Sequence, residues 1–261
     1  MEQNNFFNLD NINLEKENTE ANKILSNHIK VKIQWESVED EIENLGDILK
    51  EVNSKGNLIS SLLETSQKYK NADINISLLL FRNGVIQNTE DLIYYNNTNK
   101  KNERWLVTES IRNQESSGKI FNSDYKAINF SNLNDFEQNV DKIAVIISIY
   151  TNRKDMAKRN FTTFGCIKDL RVRISDYEIP NKKTYYFSNL NEDNSLSTVL
   201  LLGEFIKVDK KGNKWEFKEI NKGYITDKKE VIDSGMGTRI EEKNIATIIT
   251  VVNDYLKKQN K

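Results

Sequence analysis

The stretch "DINISLLLF", residues 73–81, sets three oxygen-bearing side chains at alternate positions before a run of apolar residues. This alternation is typical of a β-strand, and the "RNG" of residues 82–84 that follows is a turn signal. Because successive side chains of a strand point to opposite faces, Asp73, Asn75 and Ser77 are expected on one side. They form either the solvent face of a strand or part of a site for a hard cation such as calcium.

Further strands are predicted along the rest of the chain. The segment 28–36, "HIKVKIQWE", alternates as a half-buried strand does, whereas 141–151, "DKIAVIISIYT", is apolar nearly throughout and is expected to be covered on both faces. The segment 204–220, "EFIKVDKKGNKWEFKEI", predicts a hairpin with Trp215 and Phe217 on one face. The other predicted strands are "DLIYYNN", "GCIKDLRVRISD", "KTYYFS" and "TVLLLGEFIKV". So many strands without βαβ alternation predict a mainly β fold, a β-sandwich with peripheral helices.

Two segments have helical periodicity. Residues 37–70 predict a helical insertion, and residues 241–258 predict a C-terminal helix, because apolar residues recur in both at intervals of three and four. The apolar positions of the second helix are Ile245, Ile248, Ile249 and Val252. The expected domains are a loosely ordered N-terminal tail (1–28), a sandwich with the insertion at 37–70 (29–237), and a C-terminal helix (238–261).

The stretch from Asn96 to Asp124 fits neither period. It is polar, and several of its residues are acidic. Long structureless connections in compact domains are often functional, so this segment is predicted to be a functional loop.

Composition excludes several classes of function. The formal net charge of -1, from 38 basic and 39 acidic residues, gives no global argument for nucleic-acid binding. With one histidine, His28, and one cysteine, Cys166, a zinc site of such ligands and a Ser–His or Cys–His nucleophile are both disfavoured. The single cysteine suits a reducing compartment, and neither a signal peptide nor a transmembrane segment is predicted. The expected location is the cytoplasm.

Carboxylates and amides remain as candidate ligands. The stretch beginning at Asp73 is not an EF-hand, because Leu78 stands where that motif requires glycine and Gly84 where it requires glutamate. The oxygens of the first strand become an ion site only if they meet the acidic residues of the 96–124 segment.

An ordered series of segments resembles the TerD family of bacterial tellurium-resistance and stress-response proteins over residues 29–237. The series contains "IKVKIQWE", "DINISLLLF" followed by "DLIYYNN", the segment 139–176, and "STVLLLGEFIKVDKKGNKWEFKEINKGY". Matching positions are Asn160, Phe161, Phe164, Gly165, Gly203, Glu204, Trp215, Phe217 and Gly223. The resemblance implies a β-sandwich that binds calcium through acidic loops, without established catalysis.

The implied calcium ligands carry over residue by residue. They are Asp73, Asn75, Asn96, Glu109, Glu115 and Asp124, with Thr108 and Ser110 beside Glu109. One family carboxylate is an amide at Asn75, and the acidic loop has lost most of its glycines. Because calcium affinity follows ligand charge and rigidity, the expectation is a weakened or lost calcium site.

The resemblance implies a non-enzymatic stress-response protein that presents a surface to partner proteins of a complex, with the inner membrane surface as one candidate location. Two alternatives stay open. One is a carboxylate-dependent hydrolase acting in the region of Asp73 and Asp124. The other is a peptide- or carbohydrate-binding module with an aromatic cleft formed by Tyr94, Tyr95 and Trp105.

Overall fold

A computed structural model describes residues 24–37, 72–94, 102–137, 139–149, 163–177, 183–209, 214–224 and 248–259. Its strands are β1 (His28–Glu36), β2 (Ile74–Arg82), β3 (Leu92–Ile93), β4 (Leu106–Ser116), β5 (Lys119–Asn129), β6 (Val140–Ile149), β7 (Arg171–Asp176), β8 (Thr184–Asn189), β9 (Val199–Lys207) and β10 (Trp215–Tyr224). Its helices are α1 (Phe130–Phe136), α2 (Leu190–Asp193) and α3 (Ile249–Gln259). Short 3₁₀ turns cover Thr89–Asp91, Asn102–Arg104 and Phe164–Cys166.

The strands form two five-stranded antiparallel sheets. The first sheet has the order β4-β5-β1-β7-β8, and the second has the order β10-β9-β6-β2-β3. A single apolar core joins the inner faces of the two sheets. The predicted β-sandwich is confirmed. No helix in the described ranges is both long and apolar enough to cross a bilayer.

Strand β1 is buried on one face and β6 on both faces, as their sequence patterns predicted. Ile29, Val31, Ile33 and Trp35 all lie in the inner core, while the intervening residues of β1 are partly exposed. Strand β6 is central in its sheet and buried from Ile143 onward. One face of β6 contributes to the inner core and the other to a second, outer apolar cluster. The predicted β9–β10 hairpin is also confirmed.

Helix α3 covers the outer face of the second sheet. Ile248 is buried there and Val252 partly buried, as the apolar pattern predicted. Val251 and Tyr255 were not in the predicted stripe, yet both are buried against the sheet. The side chains of Ile245 and Ile249 lie outside the described residues.

The prediction of a long loop between Asn96 and Asp124 is wrong. Strands β4 and β5 form a long hairpin there, closed by Ser117 and Gly118 with φ angles of 52° and 73°. Positive φ at both central residues is typical of the type I′ turn that joins two twisted strands. Residues 107–110 of the edge strand β4 are exposed, so this part of the strand has no apolar alternation to detect.

Other predictions differ in extent or fall outside the described ranges. Of the strand predicted in "DLIYYNN", the structure shows Leu92–Ile93, and residues 95–97 lie outside the described ranges. Residues 24–27 were assigned to the tail, and within them Leu25 is 7% exposed and donates its amide to the Trp215 carbonyl. The rest of the tail and the helical insertion lie outside the described residues.

Candidate functional site

Asp124 lies at the centre of the region where the acidic ligands were expected. On β5 it is paired with Ser110 of β4 on one side and Ile33 of β1 on the other, and it is 3% exposed. The Ser110 hydroxyl donates to Asp124 Oδ1 at 2.8 Å, and the Ile76 amide donates to Oδ2 at 3.1 Å. Within the described residues β3 pairs with β2 at Leu78 and Leu79, and beyond that pairing the Ile76 amide faces Asp124. The carboxylate therefore links the two sheets.

Lys126 is the second buried charge on the same face of β5. It is 1% exposed, and its Nζ donates to Thr108 Oγ1 at 2.9 Å. Burial lowers the pKa of Lys126, and the attraction of Asp124 opposes that shift. Burial likewise raises the pKa of Asp124, against the hydrogen bonds from Ile76 and Ser110 and the charges of Lys126 and Arg112. Each residue thus lowers the cost of burying the other charge.

Arg112 occupies the position next to the predicted metal ligand Asp73. Its Nη2 lies 2.7 Å from Asp73 Oδ1, its Nη1 donates to the Ser123 carbonyl at 3.1 Å, and its guanidinium carbon is 5.3 Å from the Trp35 ring centroid. A bulge between Ile111 and Gln114, with Asn113 at a φ of 54°, shifts the register of β4 at this point. Bulges re-aim side chains, and here Arg112 contacts both Asp73, just before β2, and the Trp35 ring of β1.

The structure does not bring the other predicted ligands to Asp124. Asn75 alternates with the inward residues of β2, so it faces the outer side of the second sheet. Glu109 accepts a hydrogen bond from the Tyr125 hydroxyl on the outer face of the first sheet. Glu115 is exposed near the hairpin tip, opposite Ile120. Asn96 lies outside the described residues.

The described residues do not fit a complete calcium site. No group of three or more His, Cys, Asp or Glu side chains able to hold a metal occurs within the described ranges. Asp73 already faces a guanidinium at 2.7 Å, and both carboxylate oxygens of Asp124 accept hydrogen bonds from the chain. Calcium requires six to eight converging oxygens, so two engaged carboxylates are too few.

The geometry also bears on both alternative functions. Asp124 has the raised pKa expected of a catalytic acid, but it is enclosed and hydrogen-bonded on both oxygens. Trp105 is 2% exposed and belongs to the inner core, whereas Tyr94 packs against the outer cluster. These two aromatic residues therefore do not form a common cleft, and Tyr95 lies outside the described residues.

Comparisons with known proteins agree with this architecture. The family model of the TerD domain matches residues 9–234. The chain belongs to the TerD family. A tellurium resistance protein TerD from Serratia marcescens is 25% identical over 148 residues, which is 57% of this chain and 69% of that relative. TerD membership thus rests on most of the sandwich.

Several residues that carry the TerD resemblance have a structural role. A Cβ on Gly203 would lie 2.5 Å from the Lys218 carbonyl oxygen and 2.6 Å from the Phe217 ring, so no other residue fits without a shift. Trp215 is fully buried and stacks on Phe130 with ring centroids 4.8 Å apart. These matches therefore report the packing of the TerD fold rather than a site.

Arg112 and Lys126 were missed by the sequence analysis. A signal for both exists once the hairpin is recognised, because "SG" at 117–118 is a turn signal. Thr108, Ser110 and Arg112 then alternate on one strand, and Asp124 and Lys126 on the other, which places all five on one face.

Proposed function

We propose that this TerD-family chain is a non-enzymatic protein of a tellurium-resistance-type stress response, and that it acts by presenting its surface to partner proteins. Its calcium site is weakened or lost. The proposal about calcium rests on the contacts of the two candidate carboxylates. Asp73 forms an ion pair with Arg112. Asp124 accepts hydrogen bonds from the Ser110 hydroxyl and the Ile76 amide.

Charge supports this assignment. A divalent ion entering beside Asp73 would meet the guanidinium of Arg112, and near Asp124 it would meet the buried ammonium of Lys126. Two like charges a few ångströms apart repel strongly where water is excluded, as at the buried Lys126, and more weakly at the solvent-exposed Arg112. The positive charges of Arg112 and Lys126 therefore partly neutralise these carboxylates, as a bound calcium ion would.

Absence of catalysis is proposed because the candidate acid has no free oxygen to offer a substrate. The single cysteine suits a reducing compartment, so we place the protein in the cytoplasm, with the inner membrane surface as a candidate location of its complex.

Calcium titration of chelator-treated protein tests the metal assignment. The expected result is no shift in melting temperature at 1 mM calcium beyond that given by magnesium. A ligand present at about 100 times its Kd stabilises by about 2.7 kcal/mol, so a site of about 10 μM affinity would be visible. Saturable calorimetric heat at micromolar calcium would contradict the proposal.

Two variants sharpen the calcium experiment. Arg112→Gln removes the cation beside Asp73 and is expected to increase any response to calcium. Lys119→Gln removes a cation on the same hairpin that pairs with Glu36 and Asp169, and it should leave the response unchanged. An equal response of the two variants would show that Arg112 does not exclude the ion.

A growth assay tests the biological role. Deleting the gene from its own host should lower the tellurite concentration that the cells tolerate, and the intact gene should restore it. Asp124→Asn should restore tolerance in proportion to its folded amount, because no catalytic proton is lost. A folded but inactive Asp124→Asn protein would instead support the hydrolase.

A further inference from the structure

The turn that follows β2 contains an asparagine directly before a glycine. In "RNGV", residues 82–85, the Arg82 amide donates to the Val85 carbonyl at 2.8 Å, and the Val85 amide donates to the Arg82 carbonyl at 3.2 Å. Asn83 and Gly84 have φ angles of 52° and 80°, which is typical of a type I′ turn. Both residues are exposed. The side chain of Asn83 and the backbone of Gly84 therefore lie within reach of water.

An asparagine side chain can react with the backbone nitrogen of the next residue. Attack of the Gly84 nitrogen on Asn83 Cγ closes a five-membered imide ring, and such a reaction within one molecule is favoured by proximity. The space where a Cβ on Gly84 would stand is open, with no described neighbour within 4 Å. The nitrogen is therefore not shielded by a side chain of its own residue or by packing.

Asp141 of β6 supplies a base at the reacting nitrogen. The Gly84 amide donates to Asp141 Oδ1 at 3.1 Å. An amide nitrogen must lose its proton to attack a carbonyl carbon, and a general base has to lie within about 2.6–3.2 Å of the atom that it deprotonates. The Asn83 amide also donates to the Asn139 carbonyl at 3.0 Å, which holds the turn against the start of β6. The proton acceptor is thus already in place.

Two other described asparagines precede a small residue, serine, but their side chains are held. Asn122 Oδ1 accepts from the Asn113 amide at 2.9 Å. Asn194 Nδ2 donates to Asn221 Oδ1 at 2.8 Å. Both Asn122 and Asn194 are 9% exposed. Among the described residues no such hydrogen bond holds the Asn83 side chain, so its amide carbon can turn towards the next nitrogen.

We propose that Asn83, Gly84 and Asp141 form a self-modification site, at which the chain converts its own asparagine to isoaspartate and aspartate. Asp141 Oδ1 takes the proton of the Gly84 nitrogen, and this nitrogen attacks Asn83 Cγ. The new N–Cγ bond closes the imide, the Cγ–Nδ2 bond breaks, and Nδ2 leaves with the proton as ammonia. Water then opens the imide at either carbonyl. This inference depends neither on the calcium assignment nor on the proposed partner surface.

The reaction changes the contacts of the turn. While the imide is closed, the Gly84 nitrogen carries no proton, so its hydrogen bond to Asp141 is lost. After opening, isoaspartate lengthens the backbone of the turn by one atom, and either product adds a negative charge near Asp141. The same turn carries Arg82, which pairs with Asp91 at 2.9 Å and with Glu137 at 2.6 Å. Modification is therefore expected to loosen the turn from the start of β6.

Incubation of the full-length protein at neutral pH tests the self-modification site. Peptide mapping by mass spectrometry should show both isoaspartate and aspartate at position 83, because direct hydrolysis of the side chain yields aspartate alone. Asp141→Asn keeps the shape of the side chain but removes the base, and it should slow the reaction at Asn83 by about tenfold or more. The matched control is Asp135→Asn, at an exposed carboxylate of α1, which should leave the rate unchanged.

A second asparagine–glycine pair in the same protein separates the base from the turn. Ser117 and Gly118 close the β4–β5 hairpin with φ angles of 52° and 73°, close to those of Asn83 and Gly84. No carboxylate among the described residues accepts from the Gly118 amide. Ser117→Asn therefore creates the same dipeptide in the same type of turn without the base. Position 117 should react about tenfold more slowly than Asn83 in the same sample.

The outcomes separate the imide from the base. Aspartate without isoaspartate at position 83, or no modification there while position 117 of the Ser117→Asn chain reacts, overturns the self-modification site. Equal rates at the two turns, or an unchanged rate in folded Asp141→Asn protein, overturn the role of Asp141 as the base. If Asp141→Asn does not fold, the comparison of the two turns decides that role by itself.

Discussion

The two sheets bury their residues in different ways. The second sheet is apolar on both faces, with Ile143, Val145 and Ile147 of β6 inside and Ala144 and Ile146 under the helix. The first sheet instead buries charged residues on its inner face, namely Asp124 and Lys126 of β5 and Asp176 of β7. Burial of apolar side chains is favourable against any apolar segment of matching shape. A buried charge, by contrast, requires hydrogen-bond partners or opposite charges at fixed positions.

The largest expected effect lies under the helix. Phe81→Ala should lower the free energy of unfolding by about 3–4 kcal/mol, because it deletes a ring that is 1% exposed and lies 4.9 Å from the Tyr255 ring centroid. Urea denaturation measures it. Val85→Ala, at a residue that is 42% exposed, should cost less than about 0.5 kcal/mol. Equal losses would show that the outer cluster is not a true core.

Next comes the buried carboxylate of the first sheet. Asp124→Ala should cost about 2–3 kcal/mol, because the Ile76 amide loses its acceptor and Lys126 loses the nearby negative charge. The matched control is Asp141→Ala, which removes an acceptor from the exposed Gly84 amide and should cost less than about 1 kcal/mol. If the two substitutions cost the same in chemical denaturation, burial does not set the energy of this contact.

The pH dependence of stability should have opposite signs in the two regions. Burial raises the pKa of Asp124, so its contribution is fully present below the ordinary pKa of 3.8 and is lost as pH rises through the folded pKa. The hydrogen bond from Lys222 lowers the pKa of Asp254, so its contribution is present above 3.8 and is lost as pH falls through the folded pKa.

Variants with an amide in place of each carboxyl isolate the contributions of Asp124 and Asp254 to stability. As pH falls from 7 to 4, the unmodified protein should gain stability relative to Asp124→Asn. Below pH 3.8 it should lose stability relative to Asp254→Asn. Denaturation curves at a series of pH values measure both differences, and a reversed sign for either carboxyl contradicts its assigned environment.

The smallest expected effect is at the exposed ion pair. Arg112→Gln should change stability by less than about 1 kcal/mol, because Arg112 and Asp73 are 38% and 53% exposed and solvent screens their attraction. Thermal unfolding at low and high salt checks this. A loss above about 2 kcal/mol would mean that Arg112 supports the core through Trp35 rather than through Asp73.

The sequence predicted those elements in which burial follows the strand period. Strand β1 alternates because only one of its faces is buried, and β6 is apolar throughout because a core lies on each side. The family resemblance was readable for a related reason, since Gly203 and Trp215 are fixed by close packing.

The β4–β5 hairpin could not be predicted in the same way. Residues 107–110 of the edge strand β4 are exposed, so apolar and polar residues do not alternate there. The bulge at Asn113 interrupts the alternation in the rest of the strand. The missed hairpin affected the prediction of the candidate site most, because five polar residues of the site lie on β4 and β5.

By itself, the sequence determined the mainly β architecture, the two-sided burial of β6 and membership of the TerD family, because each follows from local periodicity and packing. Only the tertiary structure decided which donors meet Asp73 and Asp124, since Arg112 and Ile76 are 39 and 48 residues away along the chain. It also decided which side of α3 is buried. Contacts across such separations depend on strand register and bulges, and a shift of one residue reverses which face a side chain occupies.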